Sequence, residues 1–165
     1  MTASTTKKTT TRKKKVTLPP NPFLNEILDY VETQKTKAKK VQALQEYRDD
    51  SLTAILIWNF DDRVQSAIPE GQVPYKENEV PVGTDHTSLR REWKNLYHFI
   101  KGGNDELSSL RRETMFIQML EGLHPEEAKI ICLVKDKNLT EKYKLTRELV
   151  AEAFPDIVWG EHRGS

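Results

Sequence analysis

The sequence predicts an all-α fold: a compact non-bundle array of six to eight short helices behind a disordered basic N-terminal tail. Apolar residues recur at helical spacing in segment after segment, and no stretch carries a convincing two-residue alternation. Pro, Gly and Asp interrupt the segments at short intervals, which keeps each helix brief. At 165 residues, of which 36% are apolar, the chain fits one modest core. The expected organisation is a tail over 1–20, one helical domain over 21–159 and a flexible end over 160–165.

The charge is unevenly spread. Lys7, Lys8, Arg12, Lys13, Lys14 and Lys15 lie in the first fifteen residues without an acid, so the net charge of +1 less these six cations leaves −5 on the remainder. So little apolar surface accompanies them that ordering the tail has nothing to offset its entropy. Clustered cations engage phosphates by counterion release, giving sequence-independent, salt-sensitive contact with DNA or RNA. The same tail equally suits an acidic protein surface or simple solubility. An acid-free, Ser/Thr-rich start also resembles an organelle transit peptide, but it lacks the residues of an apolar helix face. Cys132, the single cysteine, lies within IICLV, which excludes a disulfide framework and predicts a buried, inert thiol in a reducing compartment. No apolar run approaches the ~18 residues of a membrane span, so no membrane partner is expected.

The helices follow in order. In NPFLNEILDYV, Asn21 is a cap and Pro22 suits the first turn, with Phe23, Leu24, Ile27, Leu28 and Val31 on one face. A break near 34–36 precedes a second helix with Ala38, Val41 and Leu44 at helical spacing. Asp49, Asp50 or Ser51 caps a third segment, for which a break at Asp61 and Asp62 giving two short helices is preferred; AILIW as a buried strand is the alternative. The three prolines and two glycines of 69–85 predict a long loop, either a binding surface or a connector wrapping the body. Thr87 caps the clearest helix, with Leu89, Trp93, Leu96, Tyr97 and Ile100 as its apolar stripe. Gly102 and Gly103 end it, and Ser108 or Ser109 starts a helix with Leu110, Phe116, Ile117, Leu120 and Leu123 inward. After 125–136 comes a turn at Lys137 and Asn138, then a short helix capped by Thr146 and stopped by Pro155.

The candidate sites compete with structural roles. EGLHPEEAK sets an imidazole beside two carboxylates, yet no second His follows at i+4, as a helical metal site requires. His86, His98 and His162 are not placed near His124 by the sequence. A helix corner is preferred: Gly122 to stop, His124 flanking, Pro125 in the first turn, and Glu126 and Glu127 on the dipole. Arg111 and Arg112 form a possible phosphate or carboxylate clamp, against the plainer reading of a solvated helix face. Arg90, Arg91 and Lys94 make a second basic face. Trp93, Leu96 and Tyr97 read as core before they read as a base-stacking platform. The adjacent pairs Asp49–Asp50 and Asp61–Asp62 diverge on a helix and read as caps. No phosphate-loop, nucleophile-elbow or Cys-x-x-Cys pattern is present, so neither an enzyme nor a cofactor or metal is expected.

NPFLNEILDYV, TKAKKV, ILIWNFDDRV, AIPEGQVPY, LRRETMFIQMLEGLHPEEAKIICLVKDKNL and RELVAEAFP together resemble, in order and spacing, a family of small uncharacterised proteins encoded by T-even-type myoviruses, notably cyanophages. The resemblance covers nearly all of 21–159 and leaves the tail outside. It implies a phage origin, removes the transit-peptide reading and assigns no activity. The expected function is a non-enzymatic binder of nucleic acid, or of a phage or host nucleic-acid-processing protein, in the infected bacterial cytoplasm. A virion or assembly component is the alternative.

Overall fold

DSLTAILIWNF is apolar on nearly every side, and a helix of that kind has little face to give to water; PEEAKIICLVK buries one broad face and leaves Lys129 exposed. They form α3 (Asp50–Phe60) and α6 (Pro125–Lys135), packed against each other at the centre. The computed structural model describes residues 18–81 and 87–159. Around that central pair lie α1 (Leu24–Thr33), α2 (Lys37–Glu46), α4 (Leu89–Glu92), α5 (Ser109–Gly122) and α7 (Arg147–Ala153). The helix α4 continues directly into a 3-10 helix over Trp93–Phe99, and a short 3-10 turn spans Leu139–Glu141. The described residues are thus all-α, with seven α-helices, no strand, and two isolated bridges, Ser66 with Ile100 and Thr87 with Leu123. One apolar cluster fills the interior, and α6 touches α1, α3 and α5 within it.

Most predicted boundaries hold for the predicted reasons. Gln34 ends α1; Thr36, Asp49, Ser108 and Thr146 cap α2, α3, α5 and α7, each accepting a backbone N–H. The end of α6 is a Schellman turn: Asn138 N–H donates to Leu133 O (2.7 Å), Lys137 N–H to Val134 O (2.9 Å), and Lys137 itself takes φ 59°. A non-glycine residue there is held by its side chain, whose Nζ donates to the carbonyls of Trp58 (2.5 Å) and Asp61 (3.0 Å) at the end of α3.

Five expectations are corrected. Thr87 does not cap α4: Ser88 is the flanking residue, and the Thr87 hydroxyl donates to Glu92 at 3.1 Å instead. Asn21 and Pro22 stand before α1 rather than in it: Phe23 is the flanking residue, Glu26 takes the Phe23 N–H (2.9 Å), and Glu127 takes the Leu24 N–H (2.7 Å), so no asparagine cap is needed. No second helix follows Asp61, because the segment beyond it pairs its backbone elsewhere, Ala67 N–H with Phe99 O and Lys101 N–H with Gln65 O. Leu110 is 76% exposed, in the first turn of α5. The stripe beyond Trp93 is redistributed because the helix tightens there to three residues per turn. Leu96 and Phe99 then face inward, and Tyr97 turns outward to 48% exposure.

Candidate functional site

EGLHPEEAK is the corner between α5 and α6, and its chemistry is structural. His124 is the flanking residue of α6; its Nδ1 accepts the Glu126 N–H at 3.0 Å, while its ring lies 4.8 Å from that of Phe23. Glu126 turns outward to Lys129 and Lys142 (3.1 and 3.0 Å), which hold its carboxyl below the ordinary range. Glu127 turns inward instead. Its two oxygens accept the Leu24 N–H (2.7 Å) and the Leu89 N–H (2.9 Å), the first helical residues of α1 and α4. One buried carboxylate on α6 therefore satisfies orphan donors on two other helices. Burial raises its pKa above the ordinary value, against the opposing pull of those N–H bonds and of Arg90. Among the described residues no group of three or more His, Cys, Asp or Glu could hold a metal ion.

The basic residues predicted as one class divide into two. Arg90 is internal: it pairs with Asp49, the cap of α3, at 2.7 Å and donates to Pro22 O at 3.1 Å, binding the starts of α1, α3 and α4 into the Glu127 corner. Arg112 is also internal. Its guanidinium donates to the carbonyls of His98 (2.8 Å), Asn104 (2.7 Å) and Leu107 (3.3 Å), so the predicted clamp grips the chain's own 98–107 segment. Arg91, Lys94 and Arg111 are exposed, and no hydrogen bond or ion pair engages their side chains among the described residues. Lys7, Lys8, Arg12, Lys13, Lys14 and Lys15 lie outside the described residues, as do His86 and His162.

Arg91 and Lys94 stand one turn apart on the helix that carries an open apolar groove. The groove, about 280 Å³, is lined by Ile57, Val64, Trp93, Lys94, Tyr97 and Ile100 among others, with no carboxylate. Its origin is the tightened turn: at three residues per turn Lys94, Tyr97 and Ile100 fall in one row, beside Trp93 and Leu96. The nearest acid on that helix, Glu92, faces elsewhere, accepting from Thr87 and Asn95. Tyr97 is braced by the imidazole of His98, ring centroids 4.0 Å apart, and His98 Nδ1 is held by the Asn104 amide at 3.0 Å. Sequence reasoning assigned Trp93 and Tyr97 to the core because it assumed an α-helical period throughout.

The loop beyond Ile68 is a strap rather than a free surface. Lys135 Nζ, buried, binds the carbonyls of Pro69 (2.8 Å) and Gly71 (3.0 Å) together with Asp136 (2.6 Å). Further on, Glu121 accepts the Lys76 N–H and Asn78 donates to Gly122 O. Tyr75 and Cys132 meet in the 750 Å³ cleft beneath the strap. Burial pushes the Tyr75 hydroxyl up to about 12 and raises the Cys132 thiol, so the thiol stays protonated at neutral pH. Cys132 is half-buried rather than fully buried.

Among the described residues these features define a small all-α body organised on a buried carboxylate and carrying an aromatic groove beside exposed cations. The chain belongs to a family of unknown function, DUF6433, whose model matches residues 27–141. No curated protein and no solved structure matches it. The match takes in Glu127 and every residue of the groove, and leaves the cationic tail and α7 outside. No helix among the described residues is long and apolar enough to cross a membrane.

Proposed function

We propose that this is a phage-encoded, non-enzymatic nucleic-acid-binding protein acting in the cytoplasm of the infected bacterium. The observation that carries the reading is the division of the cations. Arg90 and Arg112 are engaged internally, whereas Arg91, Lys94 and Arg111 have no partner among the described residues, on a body whose overall charge opposes phosphate. The tail supplies six more cations of the type that bind phosphate irrespective of sequence. The phage origin rests on the resemblance of the ordered segments from NPFLNEILDYV to RELVAEAFP.

The test uses the full chain and a variant with the six tail cations changed to Gln, titrated with single-stranded and duplex DNA across a salt series. Each phosphate neutralised on a single strand contributes a slope of about −0.7 in log K against log salt, so engagement of all six would change the slope by about 4. Loss of most of that slope in the variant supports the reading. Salt-insensitive binding by both proteins, or none by either, refutes it. High abundance in purified virions would assign the chain to assembly instead.

A further inference from the structure

We propose that the groove at Trp93 and Tyr97 receives an unstacked base of a single-stranded nucleic acid, with Arg91 and Lys94 on its flanking phosphates; this rests on the nucleic-acid reading above. The two requirements of a sequence-tolerant single-strand site are an accessible aromatic face and cations that follow the backbone. Both stand on one short helix here. Tyr97 is 48% exposed and braced from behind by His98, so its ring is already oriented. Trp93 lines the same groove, half-buried, with no hydrogen bond to its indole N–H among the described residues.

Size and charge narrow the occupant. At about 280 Å³ the groove lies just below the ~300 Å³ at which small-ligand pockets begin, which suits one planar ring system rather than a large ligand. Its lining contains Lys94 and no acid, complementary to a base carried between phosphates. A duplex keeps the faces of its bases stacked, so only a single strand, loop or bulge can offer one. Arg91 and Lys94, without a partner among the described residues, lose none of those contacts on engaging phosphate.

The experiment titrates the full-length protein with labelled oligo-dT and with a duplex of equal length. Four changes are compared: Tyr97→Ala, Tyr97→Phe, Trp93→Phe and the double change Arg91→Gln, Lys94→Gln. Tyr97→Ala is expected to weaken oligo-dT binding about 5- to 150-fold with the salt slope unchanged, because stacking releases no counterions. Tyr97→Phe restores binding, and the double Gln variant lowers the slope by about 1.4. Oligo-dT quenches tryptophan emission in the parent, and most of that quench is lost in Trp93→Phe, because Trp58, which also lines the groove, is only 2% exposed and Trp159 lies outside it. Unchanged far-UV circular dichroism and thermal unfolding confirm that the exposed substitutions leave the fold intact. If Tyr97→Ala binds oligo-dT like the parent while salt-sensitive binding persists, the groove assignment is wrong and the broader reading stands. If the parent binds neither nucleic acid, both fall.

Discussion

Replacing Glu127 with Ala should unfasten two helix starts at once, and the size of the effect can be worked out from its contacts. The carboxylate accepts two backbone N–H groups at 2.7 and 2.9 Å in a site 1% exposed. Hydrogen bonds to a charged group contribute about 1.5–3 kcal/mol each, and their loss leaves the Leu24 and Leu89 N–H groups buried without partners. Relief of the buried charge offsets part of this, for a net destabilisation of about 3–5 kcal/mol. That corresponds to a fall in Tm of roughly 10–15 °C for a domain of this size. Glu127→Gln separates charge from shape, since its amide can accept one N–H but sets a donor against the other. The pH dependence has a defined sign. Burial raises the folded-state pKa of Glu127, so the folded protein holds this proton more tightly than the unfolded chain. Its contribution to stability therefore falls as pH rises from the ordinary value of 4.5 through the raised one. Gln has no such limb, so the deficit of Glu127→Gln relative to the parent should shrink as pH rises through that window. The assay is thermal and urea unfolding followed by circular dichroism from acid to neutral pH. Stability of Glu127→Ala within about 0.5 kcal/mol of the parent would refute the assignment of this carboxylate as the common fastening.

Three further expectations follow from the same contacts. His124→Ala removes the cap on the Glu126 N–H and should cost about 1 kcal/mol; elemental analysis should find no change in metal content, and a stoichiometric metal lost with the imidazole would overturn the corner assignment. Arg112→Ala should destabilise by about 2–4 kcal/mol by freeing three carbonyls of the 98–107 segment, whereas exposed Arg111→Ala should stay within about 0.5 kcal/mol; equal effects in urea melts would contradict the division of the cations. Gly103→Ala would set a Cβ 1.9 Å from the Tyr97 carbonyl oxygen, so the backbone must move. A loss of more than about 2 kcal/mol is expected, and an unperturbed Tm would show that the turn is looser than described.

The helix starts were legible because capping is local chemistry. Asp49, Ser108 and Thr146 each announce a helix within three residues of themselves, and each accepts a first-turn N–H; Thr36, at the expected break, caps α2 in the same way. The EGLHPEEAK corner was legible for the same reason. Glu127 was not, since its partners lie 103 and 38 positions away; sequence reasoning could place it only on the dipole of its own helix. The missing helix after Asp61 has a similar cause, because the pairing of 65–67 with 99–101 is a distant competitor for the backbone. Leu110 shows another limit: an apolar residue in a first turn looks inward by spacing although that turn lies beyond the edge of the core.

The division of the cations could not be found by spacing either, because adjacent arginines carry the same chemistry and differ only in what the fold brings to them. Arg90 and Arg91 are neighbours, yet one reaches Asp49 and Pro22 and the other reaches solvent. A single change of helical period links that outcome to the groove. Had the α-helical period continued past Trp93, the predicted stripe would have carried Tyr97 to the same side as Leu89 and Leu96. At three residues per turn the inward place falls to Phe99, whose ring meets Phe116 edge-on at 5.1 Å. Tyr97 is thereby displaced into the row of Lys94. Gly103 fixes the end of this arrangement by admitting the Tyr97 carbonyl where any Cβ would clash. Arg112 fixes it again by binding the His98 carbonyl. The tightened turn, the glycine and the internally bonded arginine therefore act together, and a change at Gly103 or Arg112 should close the groove although neither residue lines it.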